Sequence, residues 1–482
     1  MIDIDSSKAL PLVSQIFEAM VAKIQKGDLK PGTRVPSVRE LAKLCGVSTL
    51  TVTNAYNRLV AEGYLEARRA SGYFVLAKSG RKSPQRNITR ADASIDSLWL
   101  LQRVFELEGS ALLKVGCGWL PENLLYTDGI KHGLAALAKK PNSAFARYGN
   151  PYGYSPLRQQ IQILLASRSI EAVLDQIILT NGATQALDLA ARCLLQPSDT
   201  ALVDDPGYCN LFPTLRALGA RIIGVERTPQ GPNVEALKAL AEKHRPKAFF
   251  TTTNLHNPTG TSCTPAVAYQ ILRLAEQYDF QIVEDDIFAG LVQEPVPNIA
   301  SLDQLKRVVY IGSFSKVISP SLRVGYLACN PDLAEKILYL KMASGLTTSE
   351  LTEQIAHTVL VEGHHRLHLA RLREKLSAAQ EAVCDGLSAA GLTIFHRPTG
   401  GLFVWAGFGD DVEGEEVAKR AAKESVVLAP GHLFRPHQDP TPWLRFNVAY
   451  ADNTQLYHFL QSIANDTSLR KKPLTHQQII KT

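Results

Sequence analysis

The stretch that indicates the fold most directly is RVVYIGSFSKVISPSLRVGY, residues 307 to 326. It begins with a short apolar run, VVYIG, and passes into a serine-rich loop that carries Lys316. Four further runs of this kind occur in the chain: QIILTNG, TALVDDPGY, KAFFTTTNLHNPTG and FQIVEDDIFAG. Helical patterns such as AVAYQILRLAEQY alternate with them. Alternating β and α elements predict an α/β domain with a mostly parallel sheet and helices on both faces.

The loop around Lys316 has the composition of a phosphate site with a nucleophile. In parallel sheets ligands bind at the carboxyl ends of the strands, where this loop lies. Ser313, Ser315 and Arg323 are groups that bind phosphate, and positive charge nearby lowers the pKa of an amine, which favours attack on aldehydes. Pyridoxal 5′-phosphate is an aldehyde that carries a phosphate. A solvated surface lysine is the alternative if Lys316 is considered alone.

This cofactor makes further demands on the chain. Its ring nitrogen needs an anion, its phosphate needs backbone N–H groups at a helix start, and its ring face needs an aromatic side chain. Its O3′ oxygen needs a donor, and an amino-acid substrate needs an arginine for its carboxylate. Asp285 can supply the anion, Gly182, Ala183 and Thr184 the N–H groups, and Tyr208 the aromatic ring. Asn257 can donate to O3′, and Arg445 can bind the carboxylate. Each alone has a structural alternative, such as a helix cap, core packing or a turn.

The motifs TNGATQ, DDPGY, NPTG, EDD, SFSK and LRFN together resemble the fold-type I, class I aminotransferases over residues 110 to 465. The resemblance implies a large domain of the PLP-dependent transferase fold with a smaller C-terminal α+β subdomain. It also implies a homodimer, in which Tyr148 reaches the cofactor phosphate of the neighbouring subunit, and it places Gly118 beside the substrate. Phe288 departs from the family, which usually has a tyrosine that donates to O3′. Losing that donor forfeits ~1 kcal/mol and leaves full transaminase turnover open.

Charge is distributed unevenly along the chain. Residues 1–90 carry 15 Lys and Arg against 7 Asp and Glu, which is a net charge of +8. The whole chain has a net charge of +6, so the remaining residues carry −2. Such asymmetry suggests a nucleic-acid-binding module attached to a near-neutral domain. A basic solvated face is the alternative.

The basic segment has the pattern of a winged helix-turn-helix. Residues 10–26 form an apolar stripe at helical spacing, and Gly27 ends this helix. Ser37 and Glu40 form a capping box for a second helix, and Ser48 caps a third. The stretch GYLEARRASGYFVL then predicts two short strands joined by a turn, which is a β-wing.

Residues 8–77 resemble the GntR-type winged helix-turn-helix, including its LKPG-x-R-x-PS-x-RELA run. The resemblance implies a set of residues that contact double-stranded DNA: Arg34, Ser37, Arg39, Ser48, Thr49, Thr51, Thr53, Asn54, Arg69 and Gly72. Family members commonly have arginine in place of Thr49 and a second wing glycine in place of Ala70. Threonine cannot make the bidentate contact of arginine with guanine, which is worth ~1 to 3 kcal/mol of base discrimination.

The two parts together resemble the MocR/GabR group of PLP-dependent transcriptional regulators. We expect the DNA-binding domain at 1–78, a linker at 79–92, the aminotransferase-like domain at 93–468 and a tail at 469–482. The resemblance implies a regulator that senses a small amino acid or amine by external aldimine formation at Lys316. The alternative is a functional aminotransferase with an accessory DNA-binding head. The sequence leaves open the effector, activation or repression, the operator spacing, and whether the dimer is domain-swapped.

Other classes of protein fit the composition poorly. The seven cysteines show no CxxC pair and no zinc-ligand spacing, so reduced thiols are expected and no metal site is predicted. No apolar run approaches ~18 residues, and the first residues lack a signal-peptide pattern. We therefore expect a cytoplasmic protein with no membrane partner.

Overall fold

The computed structural model describes residues 4–5, 10–68, 71–76, 99–100, 102, 105, 112–293 and 296–466. The chain divides into two compact units, Met1–Ala93 and Ser94–Thr482, and each is described by itself. The predicted linker at 79–92 and the tail at 469–482 lie outside the described residues. Within the described part of the chain, no helix is long and apolar enough to cross a membrane.

The small unit contains three helices and one antiparallel pair of strands. These elements are α1 (Leu12–Lys26), α2 (Val38–Cys45), α3 (Thr49–Ala61), β1 (Leu65–Arg68) and β2 (Gly72–Val75). The predicted capping box is present, because Ser37 Oγ accepts from the Glu40 N–H and the Glu40 carboxylate accepts from the Ser37 N–H. Ser48 Oγ likewise accepts from the Thr51 N–H and begins α3. The expected order of helices, turn and wing is therefore observed.

The apolar stripe of α1 packs against α3 in the core of the small unit. Ile16 and Met20 from α1 and Tyr56 from α3 are each no more than 2% exposed. The Tyr56 hydroxyl donates to the Pro36 carbonyl at 2.7 Å, which fixes the segment before α2. Helix α1 ends at Gly27, whose φ of 84° is in the left-handed region. The predicted helix start at residue 10 is two residues early, since Pro11 precedes the first helical residue.

The large unit contains two sheets and a layer of helices on each face of the larger one. Its strands are β3 (Ile177–Thr180), β4 (Thr200–Asp205), β5 (Arg221–Thr228), β6 (Gly231–Pro232), β7 (Ala248–Thr251), β8 (Gln281–Asp285), β9 (Val308–Ser313), β10 (Gly325–Ala328), β11 (Thr393–Ile394), β12 (Phe403–Gly407), β13 (Ala429–Pro430) and β14 (Trp443–Asn447).

From β3 to β10 the helices of the large unit lie between successive strands, except that no α-helix separates β5 from β6 or β9 from β10. The helices are α4 (Thr127–Ala138), α5 (Ser155–Ala166), α6 (Ala183–Leu194), α7 (Leu211–Ala217), α8 (Val234–His244), α9 (Pro265–Tyr278), α10 (Ile299–Asp303), α11 (Pro331–Gly345), α12 (Glu350–Val361), α13 (His364–Ala389), α14 (Gly414–Lys423), α15 (Val448–Ala451) and α16 (Thr454–Asn465).

The larger sheet has the strand order β3-β10-β9-β8-β7-β4-β5-β6. Strands β9, β8, β7, β4 and β5 are mutually parallel, whereas β10 is antiparallel to both its neighbours and β6 is antiparallel to β5. Successive residues of β4 belong to different apolar clusters: Leu202 packs on one face of the sheet, and Ala201 and Val203 pack on the other. The predicted mostly parallel sheet, covered on both faces, is confirmed.

The smaller sheet is antiparallel, in the order β11-β12-β14-β13. The long helix α13 leads into it from the larger part of the unit. This sheet forms the C-terminal α+β portion that the sequence predicts. Arg445 pairs with Trp405 in its register, so it lies in the middle of a strand of this second sheet rather than at a strand end of the main one.

Candidate functional site

Lys316 lies in the loop that follows β9 and is partly buried. Its Nζ donates to the carbonyl oxygen of Gly118 at 2.6 Å. The loop is held by the Phe314 N–H, which donates to the Val324 carbonyl at 3.1 Å, and by His365 Nε2, which lies 3.0 Å from the Val317 carbonyl. Burial lowers the pKa of Lys316 to about 8. The neutral, nucleophilic form of the amine is therefore far more populated near neutral pH than in an ordinary lysine.

Asp285 is the last residue of β8 and carries a buried carboxylate with one unsatisfied oxygen. It is 7% exposed, and its Oδ1 has no hydrogen-bond partner. Burial raises the pKa of Asp285 to about 7. A buried carboxylate with an open acceptor is stabilised by a cationic N–H donor. The residue therefore fits a protonated pyridine nitrogen, the role for which the sequence analysis proposed it.

Gly182 is the N-cap of α6, and Ala183 and Thr184 form the first turn of that helix. A Cβ at Gly182 would lie 2.4 Å from Arg323 Nη2, and its φ is 78°, so both space and backbone conformation require glycine. Arg323 Nη2 donates to the Asn181 carbonyl at 3.0 Å, which holds the guanidinium at the start of α6. The free N–H groups of the helix start and this cation form an anion-binding arrangement.

The two serines beside the lysine bond to one another. Ser313 Oγ lies 3.1 Å from Ser315 Oγ, and it also accepts from the Ser315 N–H at 3.2 Å. Ser313 is the last residue of β9, so it lies at the same edge of the sheet as Asp285. The two hydroxyls are thus placed on the lysine loop as further donors.

Tyr208 and Asn257 follow β4 and β7, which neighbour each other in the sheet. The Tyr208 hydroxyl accepts from Asn210 Nδ2 at 3.2 Å, and burial raises its pKa to about 12. Asn257 Oδ1 accepts from Arg445 Nη1 at 2.7 Å. Asn257 and Arg445, which were predicted to contact the cofactor and the substrate respectively, are therefore also hydrogen-bonded to each other.

Arg445 is a buried cation whose bonded partners are an amide oxygen and a carbonyl. It is 4% exposed, and its Nη2 donates to the Gly116 carbonyl at 2.6 Å. Its Nε has no hydrogen-bond partner, and the guanidinium carbon lies 4.6 Å from the Phe403 ring centre and 4.7 Å from that of Phe434. Burial lowers the pKa of Arg445. A buried guanidinium with an open donor is a binding group for a carboxylate.

Residues 116–119 form what we call the carbonyl loop, because all four of its carbonyl oxygens accept hydrogen bonds from site side chains. Gly116 accepts from Arg445, and Gly118 accepts from Lys316. The carbonyls of residues 117 and 119 both accept from Asn447 Nδ2, at 3.1 and 2.8 Å. Asn447 is fully buried. The loop is therefore a direct bridge between the lysine and the arginine.

Asn447 is not among the residues predicted from the sequence, although a signal for it exists there. It lies two residues after Arg445 on β14, and side chains two apart on a strand share one face. Asp204 is likewise not among the residues predicted for the site. Its buried carboxylate accepts from Arg227 Nη1 at 3.0 Å, and it lines a small cavity of about 20 Å³ together with Tyr208 and Asp285.

The main cavity of the site has a volume of about 110 Å³. The residues that line it are Leu100, Gly116, Cys117, Gly118, Trp119, Tyr208, Cys209, Asn210, Asn257, Ile287, Phe288, Lys316 and Arg445. Cys117 and Cys209 carry neutral thiols, because burial raises the pKa of both. Among the residues that the structure describes, no cluster of three or more His, Cys, Asp or Glu side chains could hold a metal ion.

Tyr148 stands apart from the other selected residues. It is 80% exposed and is not among the residues that line the cavity. Gly149 lies close to the start of α12, since a Cβ there would be 3.2 Å from Glu350 Cβ. A role for Tyr148 in this chain's own site has no support from the geometry, and a role in a neighbouring copy stays a prediction.

The residues selected for DNA contact lie on the small unit. Arg34 packs against the wing turn, because a Cβ at Gly72 would be 3.2 Å from Arg34 Nε. Thr49 and Asn54 are exposed on α3, and Thr53 Oγ donates to the Thr49 carbonyl at 2.8 Å. Arg39 is exposed. Ser37 and Ser48 are the N-caps of α2 and α3, and Ser48 Oγ lies 2.8 Å from Thr51 Oγ1. Arg69 lies outside the described residues.

Comparison with known proteins agrees with this arrangement. The aminotransferase class I and II family matches residues 119–463, and the gntR family of bacterial regulatory proteins matches residues 12–75. The probable rhizopine catabolism regulatory protein MocR of Rhizobium meliloti is 30% identical over 452 residues, which cover 89% of this chain and 88% of that protein. The HTH-type transcriptional regulator YdcR of Escherichia coli is 28% identical over 445 residues, covering 90% and 94%.

Among solved structures, the kynurenine aminotransferase of Pyrococcus horikoshii in complex with PMP is similar, with a TM-score of 0.71 and 25% identity. The match covers 80% of this chain and 97% of that one. The fold and site thus define a gntR-type helix-turn-helix joined to a domain that binds pyridoxal phosphate. The chain belongs to the aminotransferase class I and II family, in the group with a gntR-type head to which MocR belongs.

Proposed function

We propose that this protein is a transcriptional regulator that binds operator DNA through residues 1–78 and responds to an amino acid or amine at its pyridoxal phosphate site. The observation that carries the proposal is the carbonyl loop. Its hydrogen bonds to Lys316, Arg445 and Asn447 connect both predicted ligand contacts to the N-terminal part of the large unit. A change at the site therefore acts directly on the chain that leads back toward the DNA-binding part.

The cofactor supplies an aldehyde that condenses reversibly with amines and a ring that accepts electrons. We infer that Lys316 holds it and that Asp285 holds its ring nitrogen. Its phosphate would be held by the start of α6, the two serines and Arg323. Tyr208 and Asn257 would contact its ring and O3′ oxygen. These assignments rest on the burial, charge and open hydrogen-bonding atoms described above.

Ligand binding would release the lysine amine. When bound, the cofactor would supply an aldehyde carbon that Lys316 holds and that a ligand amine would take over, with no oxidation or reduction, so Lys316 would be left as a free amine. The free amine has a defined acceptor, because Nζ donates to the Gly118 carbonyl at 2.6 Å. A ligand carboxylate would at the same time compete with the Gly116 carbonyl for Arg445. Ligand binding would thus change which side chains donate hydrogen bonds to the carbonyl loop.

The loop continues into a segment that is tied to the smaller sheet. The Gly116 N–H donates to the Val427 carbonyl at 2.7 Å, and the Asn447 N–H donates to the Val115 carbonyl at 2.8 Å. A shift of the loop must therefore be transmitted along the chain or absorbed by this sheet. Couplings between two sites are typically ~1 to 3 kcal/mol, which corresponds to about 5- to 150-fold in DNA affinity.

The proposed assembly is a homodimer that acts in the cytoplasm, where the DNA is. Its support is an exposed apolar surface, which consists of Tyr148, Tyr339, Met342, Leu346 and Leu351. The segments that carry these side chains are adjacent, since Lys341 Nζ donates to the Pro151 carbonyl at 2.6 Å. Several exposed apolar side chains on neighbouring segments are typical of protein interfaces. Its burial against a second copy would bring Tyr148 to another chain.

The test is operator binding by the holoprotein with and without a panel of amino acids and amines. An operator fragment selected from randomised duplexes serves as the probe, with Lys316→Ala as the test variant. Lys336→Ala, which removes an exposed lysine of α11, is the matched control. We expect a ligand to change the affinity of wild type and Lys336→Ala by at least fivefold and to leave Lys316→Ala unchanged.

An equal response in all three proteins would overturn the sensing mechanism. Keto-acid formation at ~1 to 10³ per second, without any effect on DNA binding, would instead identify an aminotransferase with an accessory head. Phe288 argues against that outcome, because its ring is 1% exposed and supplies no hydroxyl to the site.

A further inference from the structure

Helix α3 of the small unit buries one side and exposes the opposite side. Its fully buried residues are Val52, Ala55, Tyr56 and Leu59. Successive residues of an α-helix are rotated by about 100° around its axis, so the side opposite these four carries Leu50, Asn54 and Asn57. All three are exposed, and Leu50 is 67% exposed. We call these three residues the outer stripe of α3.

The hydroxyl groups at the start of α3 are bonded within the helix. Ser48 Oγ accepts from the Thr51 N–H at 3.1 Å and lies 2.8 Å from Thr51 Oγ1. Thr53 Oγ1 donates to the Thr49 carbonyl at 2.8 Å, so its proton is not available to a base. The outer stripe, by contrast, points directly away from the core. It therefore carries the side chains that are best placed to reach base edges in a groove.

The outer stripe contains no cation. Arg58 is the single Lys or Arg of α3, and its Nε donates to Glu62 Oε1 at 3.1 Å. Its guanidinium carbon lies 4.1 Å from the centre of the Phe17 ring of α1, which holds the cation on another side of the helix. In the major groove, guanine presents two acceptors and is read most often by a bidentate arginine or lysine. The outer stripe lacks the side chains for this contact.

The side chains of the outer stripe match an A·T base pair instead. Adenine presents an acceptor and a donor side by side, which the amide of Asn54 can bind with two hydrogen bonds. Thymine presents a C5-methyl group, which the apolar side chain of Leu50 can contact. The two residues are four positions apart on the helix, so their Cβ atoms are about 5 to 6 Å apart. Stacked bases are about 3.4 Å apart, so the two side chains reach the same or neighbouring base pairs.

We propose that the outer stripe reads A·T base pairs in the major groove of the operator, with Leu50 on a thymine methyl group and Asn54 on an adenine. This inference rests on the proposed function, because it takes residues 1–78 as the part that binds operator DNA. It adds Leu50 to the residues predicted to contact DNA, and it assigns a base to Asn54. Arg34 lies beside the wing turn at Gly72 and not on this stripe, so it can read other positions.

Small changes to single bases of the DNA test this inference. The holoprotein is bound to an operator fragment selected from randomised duplexes, in which each thymine is replaced in turn by deoxyuridine and each adenine by 7-deazaadenine. Deoxyuridine lacks only the C5-methyl group, and 7-deazaadenine lacks the N7 acceptor. We expect deoxyuridine to weaken binding about fourfold at one or more thymines, which corresponds to one buried methyl group. At an adenine within about two base pairs of such a thymine, 7-deazaadenine should weaken binding about fivefold, which corresponds to one hydrogen bond.

Each response should depend on one side chain. Leu50→Ala should lose the response to deoxyuridine and keep the response to 7-deazaadenine, whereas Asn54→Ala should lose the second response and keep the first. Leu44→Ala removes a leucine of similar exposure, 63%, from α2, so it is the matched control and should keep both responses. All three positions are exposed, so these changes leave the core of the small unit intact. If the wild type tolerates deoxyuridine at every thymine, or if Leu50→Ala responds as the wild type does, the inference is wrong.

The failure of this inference and that of the proposed function are distinguishable. Sequence-selective binding that is insensitive to both base analogues would refute the reading of A·T pairs and leave the DNA-binding function intact. If the full chain prefers no duplex sequence over any other, the proposed function fails, and this inference fails with it.

Discussion

Lys316 Nζ donates to the Gly118 carbonyl oxygen across 2.6 Å, and the two residues are 198 positions apart in the chain. The bond joins the loop after β9 to the carbonyl loop, which also accepts hydrogen bonds from Arg445 and Asn447. The Lys316 amine and the Arg445 guanidinium are therefore connected through backbone atoms and not only through a shared cavity.

The two glycines of the carbonyl loop should respond differently to alanine. A Cβ at Gly118 would lie 3.8 Å from Arg445 Nη2, an ordinary contact, whereas a Cβ at Gly116 would lie 2.5 Å from the backbone of residues 428 and 429. Gly116→Ala should lower the free energy of unfolding by ~1 to 3 kcal/mol. Gly118→Ala should fold normally but bind amino acids about tenfold more weakly, by ~1.4 kcal/mol. Chemical denaturation and absorbance titration measure the two effects, and equal destabilisation by both changes would contradict this geometry.

Incorporation of the cofactor into the protein stripped of it should depend on pH through Lys316. Only the neutral amine attacks the aldehyde, and burial lowers the pKa of Lys316 to about 8. The rate should rise with pH and level off above about 8, whereas an ordinary lysine would require pH above 10. Stopped-flow absorbance measures this rate, with Lys336→Ala as a control that keeps the same midpoint. A midpoint near 10 would show that the amine is not desolvated.

The variant Asp285→Asn tests two effects of the buried carboxylate: its effect on the stability of the protein without cofactor, and its effect on cofactor affinity. Burial raises its pKa to about 7, so the folded chain without cofactor binds a proton that the unfolded chain has lost between about pH 4 and 7. Stability should therefore fall as pH rises through this window in wild type, and less in Asp285→Asn. Cofactor affinity of the variant should fall by roughly 10- to 150-fold, from loss of a charge-assisted bond of ~1.5 to 3 kcal/mol.

Thermal melts at pH 5 and pH 8 and cofactor titrations measure both effects of Asp285→Asn. Asp279→Asn, whose side chain is 87% exposed, is the matched control and should change neither. Unchanged cofactor affinity in Asp285→Asn would remove this carboxylate from the site.

The exposed apolar surface should be a dimer interface. Leu346 is 45% exposed, and Leu346→Asp would place a charge within that surface. We expect this change to convert a dimer to monomers in sedimentation velocity at micromolar concentration. Val173→Asp, at a site 60% exposed and elsewhere in the large unit, should leave the dimer intact. A monomeric wild-type protein would exclude the proposed role of Tyr148.

Thr49 and Arg39 should contribute differently to DNA binding. Thr49 is the exposed first residue of α3, so Thr49→Arg should alter base preference by ~1 to 3 kcal/mol at one position. Arg39→Ala should weaken binding to all sequences and reduce the salt dependence by about one phosphate contact. Binding to randomised duplexes at several salt concentrations distinguishes the two. Unaltered base preference in Thr49→Arg would mean that α3 does not read bases at this residue.

The sequence alone indicated the architecture because its signals are local. Alternation of apolar strands with amphipathic helices predicts a parallel sheet, and parallel strands place the residues that follow them at one edge. This reasoning selected Asp285, Lys316 and Gly182 without knowledge of their contacts. The capping box at Ser37 and Glu40 is similarly local, because its two hydrogen bonds span three residues.

The tertiary structure decided what these residues contact. The bonds of Lys316 to Gly118 and of Arg445 to Gly116 join positions 198 and 329 residues apart, and no pattern within either segment specifies the other. The exclusion of water from Arg445, the shifted pKa of Lys316 and the open oxygen of Asp285 all depend on burial, which arises only when distant segments pack together. Sequence determined which chemical groups lie at the sheet edge, and packing determined their charge, their hydrogen-bond partners and the apolar walls of the cavity around them.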